Sequence, residues 1–124
     1  METPIFNTVG TVAVPVTDQD TAKDLWERFG LVEAMDVELQ PGFRWIEMRL
    51  PDGAVTMALV RAGDQLPVGI DTGIRLLTAD ARAAHVAVRD AGLDAGDLLD
   101  WETAPLMFSF CDADGNRFYV SEAG

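Results

Sequence analysis

The amino-acid sequence repeats one pattern twice, and the two copies are separated by a constant 62 residues. Six identical positions carry the repeat, and most of them fall at an expected helix start, helix end or turn. They are Asp18 and Asp80, Ala22 and Ala84, Gly30-Leu31 and Gly92-Leu93, and Asp52-Gly53 and Asp114-Gly115. A repeat of this length is one supersecondary unit, so the chain is expected to contain two copies of one module.

Each copy predicts one strand, one helix and then three strands. Asp18 and Asp80 are expected to cap the two helices, and Gly30 and Gly92 are expected to end them. The predicted strands are 11–16, 33–39, 43–50 and 54–60, then 74–78, 95–101, 106–111 and 117–121, with helices at 20–29 and 81–91. The prediction is an α+β protein made of two tandem βαβββ modules. Repeats at about 7–60 and 69–122, joined by a linker at 61–68, would form one domain of residues 1–124.

The charge of the chain excludes one large class of partners. The net charge is −12, from 21 acidic and 9 basic residues, whereas binding to nucleic acid requires a surplus of Lys and Arg. The acidity indicates either solubility alone or attraction of a cationic small molecule. No apolar run approaches the roughly 20 residues of a membrane helix, and the first residues do not resemble a secretory signal. Cys111, the single cysteine, cannot form an internal disulfide, so a cytoplasmic location is expected.

Strand alternation separates two predicted faces of each sheet. One face is nearly all apolar and is expected to pack under the helix. It comprises Val12, Val14, Val16, Ile46, Met48, Thr56, Ala58 and Val60, and in the second copy Ile74, Leu76, Thr78, Phe108, Phe110, Phe118, Val120 and Glu122. The opposite face mixes aromatic, sulfur and charged side chains, including Trp45, Glu47, Arg49, Met57, Arg75, Met107, Ser109, Cys111, Arg117 and Tyr119. A mixed face of this kind indicates a ligand cleft, although a second core or a subunit interface is the alternative.

Three segments give the chain a family resemblance. They are Pro-Val-Thr-Asp at 15–18, Gly-Phe-Arg-Trp-Ile-Glu at 42–47 and Cys-Asp-Ala-Asp-Gly-Asn-Arg-Phe at 111–118. With the two-module pattern, they resemble the vicinal oxygen chelate superfamily, which includes glyoxalases, extradiol dioxygenases and bleomycin-resistance proteins. The resemblance covers nearly the whole chain. It implies modules whose sheets curl around a cleft, and it implies a homodimer.

The resemblance also implies positions for metal ligands, which are usually His and Glu in these enzymes. The first-strand position corresponds to Thr11 and Gly73, and the last-strand position corresponds to Met57 and Tyr119. None of these is a side chain that a divalent metal prefers. The expectation is therefore a protein without a metal and without a cofactor, so that the resemblance carries the fold and the cleft and not the reaction.

Three other side chains could take part in chemistry. His85, the single histidine, is interpreted as an exposed helix residue, like Lys23, its counterpart in the first copy. Cys111 is interpreted as a buried, inert thiol, and a reactive thiol near Arg49 on the same predicted face is the alternative. Glu47 is the best candidate for an acid or base, and an ion pair with Arg49, Arg75 or Arg117 is the alternative reading of its position.

The favoured function is a metal-free, antibiotic-sequestering protein that binds a planar or cationic small molecule. Its expected ligand-binding residues are Trp45, Glu47, Arg49, Met57, Arg75, Trp101, Met107, Ser109 and Tyr119. The aromatic rings would stack on a flat ligand or hold a cation. The alternatives are an enzyme of the glyoxalase or dioxygenase type and a dimeric scaffold without a ligand. Because Arg75 and Arg117 would suit an anionic group, the charge of the ligand stays open.

Overall fold

A computed structural model describes residues 3–123 of the chain. The chain divides into two compact units, Met1–Arg61 and Ala62–Gly124. Each unit holds one helix and one four-stranded mixed sheet, in the order strand, helix and three strands. The predicted α+β class and the two βαβββ modules are thereby confirmed. Within residues 3–123, no helix is long and apolar enough to cross a membrane.

The first unit contains β1 (Thr11–Val16), α1 (Gln19–Arg28), β2 (Val32–Gln40), β3 (Phe43–Arg49) and β4 (Thr56–Arg61). The strands lie in the order β1-β4-β3-β2. β2 is antiparallel to β3, and β3 is antiparallel to β4. β1 runs parallel to β4, because α1 returns the chain so that β2 starts in the direction of β1, and the two antiparallel connections then restore that direction in β4.

The second unit repeats this arrangement with β5 (Asp71–Thr78), α2 (Ala81–Asp90), β6 (Asp94–Ala95), β7 (Met107–Cys111) and β8 (Arg117–Glu122). Its sheet order is β5-β8-β7-β6. The strand predicted at 95–101 is wrong for most of its length, since β6 ends at Ala95. The Gly96 amide still donates to the Ser109 carbonyl oxygen of β7 at 2.7 Å. Gly96 and Asp97 are residue types that are disfavoured in strands, and the next paired residues are an isolated bridge between Leu99 and Met107.

The predicted helix signals are confirmed. The Asp18 carboxylate accepts a hydrogen bond from the Thr21 amide, and Asp80 accepts one from the Ala83 amide, as helix-capping residues do. Gly30 and Gly92 follow the helices at φ +98° and +81°, a left-handed conformation that costs glycine little. Each sheet buries one face under its helix. The buried apolar side chains include Val14, Trp26, Ile46, Met48, Met57 and Leu59 in the first unit and Val88, Phe108, Phe110, Phe118 and Val120 in the second.

The pairing register corrects the predicted faces of β4. Glu47 lies opposite Ala58, and its counterpart Ser109 lies opposite Tyr119. Because Ala58 and Tyr119 are 61 residues apart rather than 62, the first unit has one extra residue between its third and fourth strands. A shift of one residue moves every side chain of a strand to the other face. Met57 and Leu59 therefore lie on the helix side, opposite Met48 and Ile46, and the predicted positions of Thr56, Ala58 and Val60 on that side are wrong.

Candidate functional site

The face of each sheet that points away from its helix is called the open face here. In the first unit, the open face carries a row of exposed or half-buried apolar side chains along β2 and β3. Met35 lies opposite Glu47, Val37 lies opposite Trp45, and Val32 lies opposite Arg49. Directly opposed residues of an antiparallel pair share a face. We call Val32, Met35, Val37, Phe43 and Trp45 the apolar strip.

The apolar strip is accessible, since Val32, Met35, Val37 and Phe43 are between 41% and 52% exposed. The Phe43 and Trp45 rings meet edge to face, with their centroids 6.2 Å apart. This is a favourable geometry for an aromatic pair. The strip therefore presents a row of apolar and aromatic side chains beside a single carboxylate.

That carboxylate belongs to Glu47, which is fixed by two neighbours on the open face. The Trp45 indole Nε1 donates a hydrogen bond to Oε2 at 2.7 Å, and the Thr56 hydroxyl donates one to Oε1 at 2.6 Å. The Thr56 hydrogen bond, followed by the Trp45 hydrogen bond, lowers the pKa of Glu47 below its ordinary value. Both bonds favour the ionised form, so Glu47 supplies a fixed negative charge and is a weak base at neutral pH.

The alternative reading of Glu47 as the ion-pair partner of Arg49, the arginine of its own unit on the open face, is wrong. Within residues 3–123, no arginine forms an ion pair with its carboxylate. Arg49 is exposed and lies opposite Thr56 on the open face. Neutral hydrogen-bond donors therefore stabilise the Glu47 carboxylate without cancelling its charge, which leaves that charge available to a cation.

The open face of the second unit carries five polar side chains, which we call the arginine cluster: Asp71, Arg75, Ser109, Arg117 and Tyr119. The Arg75 guanidinium carbon lies 4.1 Å from the centroid of the Tyr119 ring. The Tyr119 hydroxyl donates to the Asp71 Oδ2 at 2.5 Å. Arg117 Nη1 donates to the Ser109 hydroxyl at 3.2 Å. The cluster thus joins β5, β7 and β8 through side-chain contacts.

A β-bulge in β5 gives Asp71 its place in the cluster. Asp71 pairs with Arg117 and Arg75 pairs with Tyr119, so β5 uses four residues where β8 uses two. Gly73 lies within this bulge at φ +69°, and its amide donates to the Asp71 Oδ1 at 3.0 Å. The Tyr119 hydrogen bond lowers the pKa of Asp71, and the same bond to Asp71 raises the pKa of Tyr119. Asp71 is therefore ionised and Tyr119 is protonated at neutral pH.

The remaining predicted ligand-binding residues lie in different environments. Met57 is only 1% exposed and packs on the helix side, so its prediction as a wall of the ligand site is wrong. Met107 is half-buried at the start of β7. Trp101 is 56% exposed and lies in the loop between β6 and β7 rather than on a strand.

Two helix residues that are predicted to be exposed, Lys23 and His85, both contact neighbouring parts of the protein. His85 is half-buried. Its ring meets Phe108 edge to face at 4.9 Å, and Nε2 lies 2.8 Å from the Gly96 carbonyl oxygen. Its counterpart Lys23 forms ion pairs with Glu33 and Asp36. These contacts follow from the helix-to-sheet packing, because a long or planar side chain at this position of the helix reaches the neighbouring strand.

A metal does not fit the positions that the family resemblance implies. By the observed register, the counterpart of Tyr119 in the first unit is Ala58 rather than Met57, and alanine has no side-chain donor atom. Thr11 uses its hydroxyl to donate to the Thr56 carbonyl oxygen at 3.1 Å, and Gly73 offers no side chain. In the part of the chain that the structure describes, no group of three or more His, Cys, Asp or Glu side chains could hold a metal ion.

Several open-face residues escaped the sequence analysis. The predicted face of Thr56 is wrong because the constant 62-residue separation hides the extra residue before β4. The alternation of apolar and acidic residues along β2, with Met35 and Val37 flanking Asp36, carries a usable signal for the apolar strip. No sequence pattern indicates that Asp71 lies beside Tyr119, because only the bulge at Gly73 brings the two side chains together.

Comparison with known proteins places the fold. No family model matches the chain. The uncharacterized protein YetH of Bacillus subtilis (strain 168) is 29% identical over 124 aligned residues, which cover 92% of this chain and 97% of the relative. The crystal structure of a glyoxalase/bleomycin resistance protein/dioxygenase superfamily member from Sphaerobacter thermophilus DSM 20745 superposes with a TM-score of 0.85 at 25% identity, covering 97% of this chain and 100% of that one.

A second solved structure has a stated binding activity. TnmS3, an antibiotic binding protein from Streptomyces sp. CB03234, superposes with a TM-score of 0.81 at 25% identity, and the match covers 98% of this chain and 100% of TnmS3. The predicted resemblance to the superfamily is therefore confirmed. Its members are the structural neighbours of this chain, and antibiotic-binding proteins are among them.

Proposed function

We propose that the protein binds a planar, positively charged organic molecule on the open face of the first unit and sequesters it without a metal. The observation that carries this proposal is the apolar strip beside the fixed carboxylate of Glu47. The strip supplies flat and apolar surface, and the carboxylate supplies one negative charge that accepts hydrogen bonds from the neutral groups of Trp45 and Thr56.

The shape of the ligand follows from the side chains of the apolar strip. Small-molecule sites combine apolar and aromatic walls with a few oriented polar groups. Trp45 is held in one orientation by its hydrogen bond to Glu47, so little conformational freedom is lost when a flat ring stacks on it.

The charge of the ligand follows from Glu47 and from the chain as a whole. Since hydrogen bonds from Thr56 and Trp45 lower its pKa, Glu47 is ionised across the neutral range. The net charge of −12 adds a field that attracts cations and speeds their association. Both features favour a cationic ligand over a neutral one.

The same residues support binding better than catalysis. A general base is most effective when its pKa lies near the working pH, and the pKa of Glu47 is displaced in the opposite direction. The positions of Thr11, Gly73, Ala58 and Tyr119 do not provide a metal site. The antibiotic-binding activity of TnmS3 adds support by analogy for a sequestering role.

We also propose that the protein is a cytoplasmic homodimer. Ile5 and Phe6 near the amino terminus are each 88% exposed, and exposed apolar residues of this size are suited to burial against a second copy. Sedimentation at micromolar concentration measures this directly, and a sedimenting species of 13.5 kDa would contradict the dimer.

Calorimetric titration with a panel of planar cationic antibiotics and intercalating dyes tests the binding proposal. Trp45→Ala is expected to weaken binding by about 1–3 kcal/mol, or roughly tenfold to a hundredfold. Trp45→Phe keeps a ring without the indole donor, so it is expected to lose less. Glu47→Gln is expected to weaken cationic ligands more than neutral ones, and less so at high salt.

Val86→Ala is the matched control, because Val86 is an exposed apolar residue of α2 far along the chain from the apolar strip. It is expected to leave the affinity unchanged. If no member of the panel binds more tightly than millimolar, or if Trp45→Ala binds as well as the parent protein, the proposed site is wrong.

A further inference from the structure

We infer that the arginine cluster on the open face of the second unit binds an oxyanion, the carboxylate or phosphate group of a small molecule. This inference does not rest on the proposed function, because it concerns other residues, the other unit and the opposite charge. The observation behind it is a pair of guanidinium groups that form no ion pair within residues 3–123, although Asp71 belongs to the same cluster.

Arg75 is held in a fixed position before any ligand binds. Its guanidinium carbon lies over the Tyr119 ring, and its Nη1 donates to the Gly73 carbonyl oxygen at 2.9 Å. A cation placed over an aromatic face is attracted to it but keeps its in-plane N–H groups. An arginine has five such donors, so most of its hydrogen-bonding capacity is available to an incoming oxyanion.

Arg117 adds a second guanidinium on the same face. It lies two residues before Tyr119 on β8, and its Nη1 donates to the neutral hydroxyl of Ser109. Both arginines lower the pKa of Asp71 through their charge, after the larger effect of the Tyr119 hydrogen bond. The two positive charges therefore act on one small region of the face.

Asp71 is the carboxylate that would be expected to pair with these arginines, but both of its oxygens have other hydrogen-bond partners. Its Oδ1 accepts from the Gly73 amide, and its Oδ2 accepts from the Tyr119 hydroxyl. Within residues 3–123, neither Arg75 nor Arg117 forms an ion pair. Bulges commonly re-aim a side chain beside a functional site, and here the bulge at Gly73 leaves both guanidinium groups without a carboxylate partner.

The chemistry of an arginine pair selects the ligand class. Guanidinium groups match the two oxygens of a carboxylate or a phosphate with paired, charge-assisted hydrogen bonds. In a chain with a net charge of −12, the long-range field repels anions, so the attraction must come from these local contacts. Binding is therefore expected to depend on each arginine and to weaken as salt screens the site.

Titration of the full chain with benzoate and, separately, with inorganic phosphate tests the inference. The signals of the arginine Nε–H groups in an NMR spectrum report which arginines the anion touches. We expect saturable shifts for Arg75 and Arg117. Arg75→Gln and Arg117→Gln are each expected to weaken binding at least about tenfold, since a hydrogen bond to a charged group is lost. Arg82→Gln removes an exposed arginine on α2 and is expected to change nothing.

Asp71→Asn gives the sharpest result, because its effect has the opposite sign. Removal of the negative charge beside the arginines is expected to tighten anion binding by about threefold to fivefold. A residue that only supports the fold would weaken binding or leave it unchanged. Thermal unfolding of each variant confirms that it is folded before its affinity is compared.

The two probes separate the two sources of an oxyanion. Tighter binding of benzoate indicates an organic acid as the ligand, and tighter binding of phosphate indicates a phosphorylated molecule. The inference is overturned if neither probe binds saturably in the millimolar range, or if Arg75→Gln binds as the parent does. It is also overturned if Asp71→Asn weakens binding. These outcomes are read from variants of Arg75, Arg117 and Asp71, whereas the titration with cationic ligands is read from variants of Trp45 and Glu47.

Discussion

The two open faces are built on the same strand order but carry opposite chemistry. The first unit presents the apolar strip with one carboxylate, Glu47, whose hydrogen-bond donors are the neutral groups of Trp45 and Thr56. The second unit presents two guanidinium groups around Tyr119 and Asp71. The repeated backbone therefore determines the positions of the side chains on each open face, whereas the residue types at those positions determine which ligand charge the face attracts.

Two small backbone differences accompany this change in chemistry. The first unit has one extra residue between β3 and β4, which places Thr56 rather than Met57 beside Glu47. The second unit has a bulge in β5, which places Asp71 beside Tyr119. Insertions of one or two residues thus decide which side chains meet on each face, because strand faces alternate with every residue.

The largest expected effect tests the register of β4. The sequence repeat treats Met57 and Tyr119 as counterparts, but Met57 is buried and Tyr119 is half-exposed. Met57→Ala is expected to lower the free energy of unfolding by about 2–5 kcal/mol, as large core truncations do. Tyr119→Ala is expected to lower it by about 1 kcal/mol or less. Denaturant unfolding measures both values.

Met57→Leu is the control for this pair, because it nearly conserves volume in the core and is expected to cost less than about 1.5 kcal/mol. Equal losses for Met57→Ala and Tyr119→Ala would show that the two residues are true counterparts and that the observed register is wrong. A large loss confined to Met57 would support the one-residue shift.

Much of the fold could be read from the sequence, because its signals are local. The caps at Asp18 and Asp80 and the helix-ending glycines each depend on a few neighbouring residues. The sequence could not predict which side chains of β4 lie on which face. That depends on one extra residue before β4, which the matching Asp-Gly pairs of the two turns do not reveal. The arginine cluster was visible only as separate residues, since the bulge that joins Asp71 to Tyr119 is a feature of the paired strands and not of either sequence segment.

The second prediction compares the turns before β4 and before β8. Asn116 is fully buried, and its side-chain oxygen accepts from the amides of Gly69 at 3.0 Å and Ile70 at 3.3 Å. Asn116→Ala leaves these amides without that acceptor and is expected to cost about 1–3 kcal/mol of the free energy of unfolding. Asp52→Ala changes an exposed residue of the corresponding turn and is expected to cost less than about 0.5 kcal/mol.

Thermal unfolding of the two variants separates these cases. A small loss for Asn116→Ala would mean that the amides of Gly69 and Ile70 find other acceptors. A large loss for Asp52→Ala would mean that the first turn depends on its own aspartate as strongly as the second turn depends on Asn116.

The smallest expected effect is a contrast in carboxyl titration between the two units. Hydrogen bonds from Thr56 and Trp45 lower the pKa of Glu47 below the ordinary value of 4.5, whereas burial raises the pKa of Asp112 above 3.8 despite its hydrogen bonds from Asn116 and Asp114. A lowered pKa in the folded state means that ionised Glu47 stabilises the protein above pH 4.5 and that this contribution is lost as the pH falls through its folded value.

Asp112 acts with the opposite sign, because a raised pKa means that its protonated form is favoured by folding. Its contribution to stability is present below pH 3.8 and is lost as the pH rises through its folded pKa. Carbon-detected NMR of the side-chain carboxyls, followed between pH values on either side of both ordinary values, is expected to place the Glu47 midpoint below 4.5 and the Asp112 midpoint above 3.8. A midpoint for Glu47 above 4.5 would show that its two hydrogen bonds do not favour the ionised form. A midpoint near neutral pH would remove the argument for a charged group on the first open face, and with it the preference for a cationic ligand. A midpoint for Asp112 below 3.8 would show that the hydrogen bonds from Asn116 outweigh burial, so that this turn, like the Glu47 site, is stabilised by an ionised carboxylate.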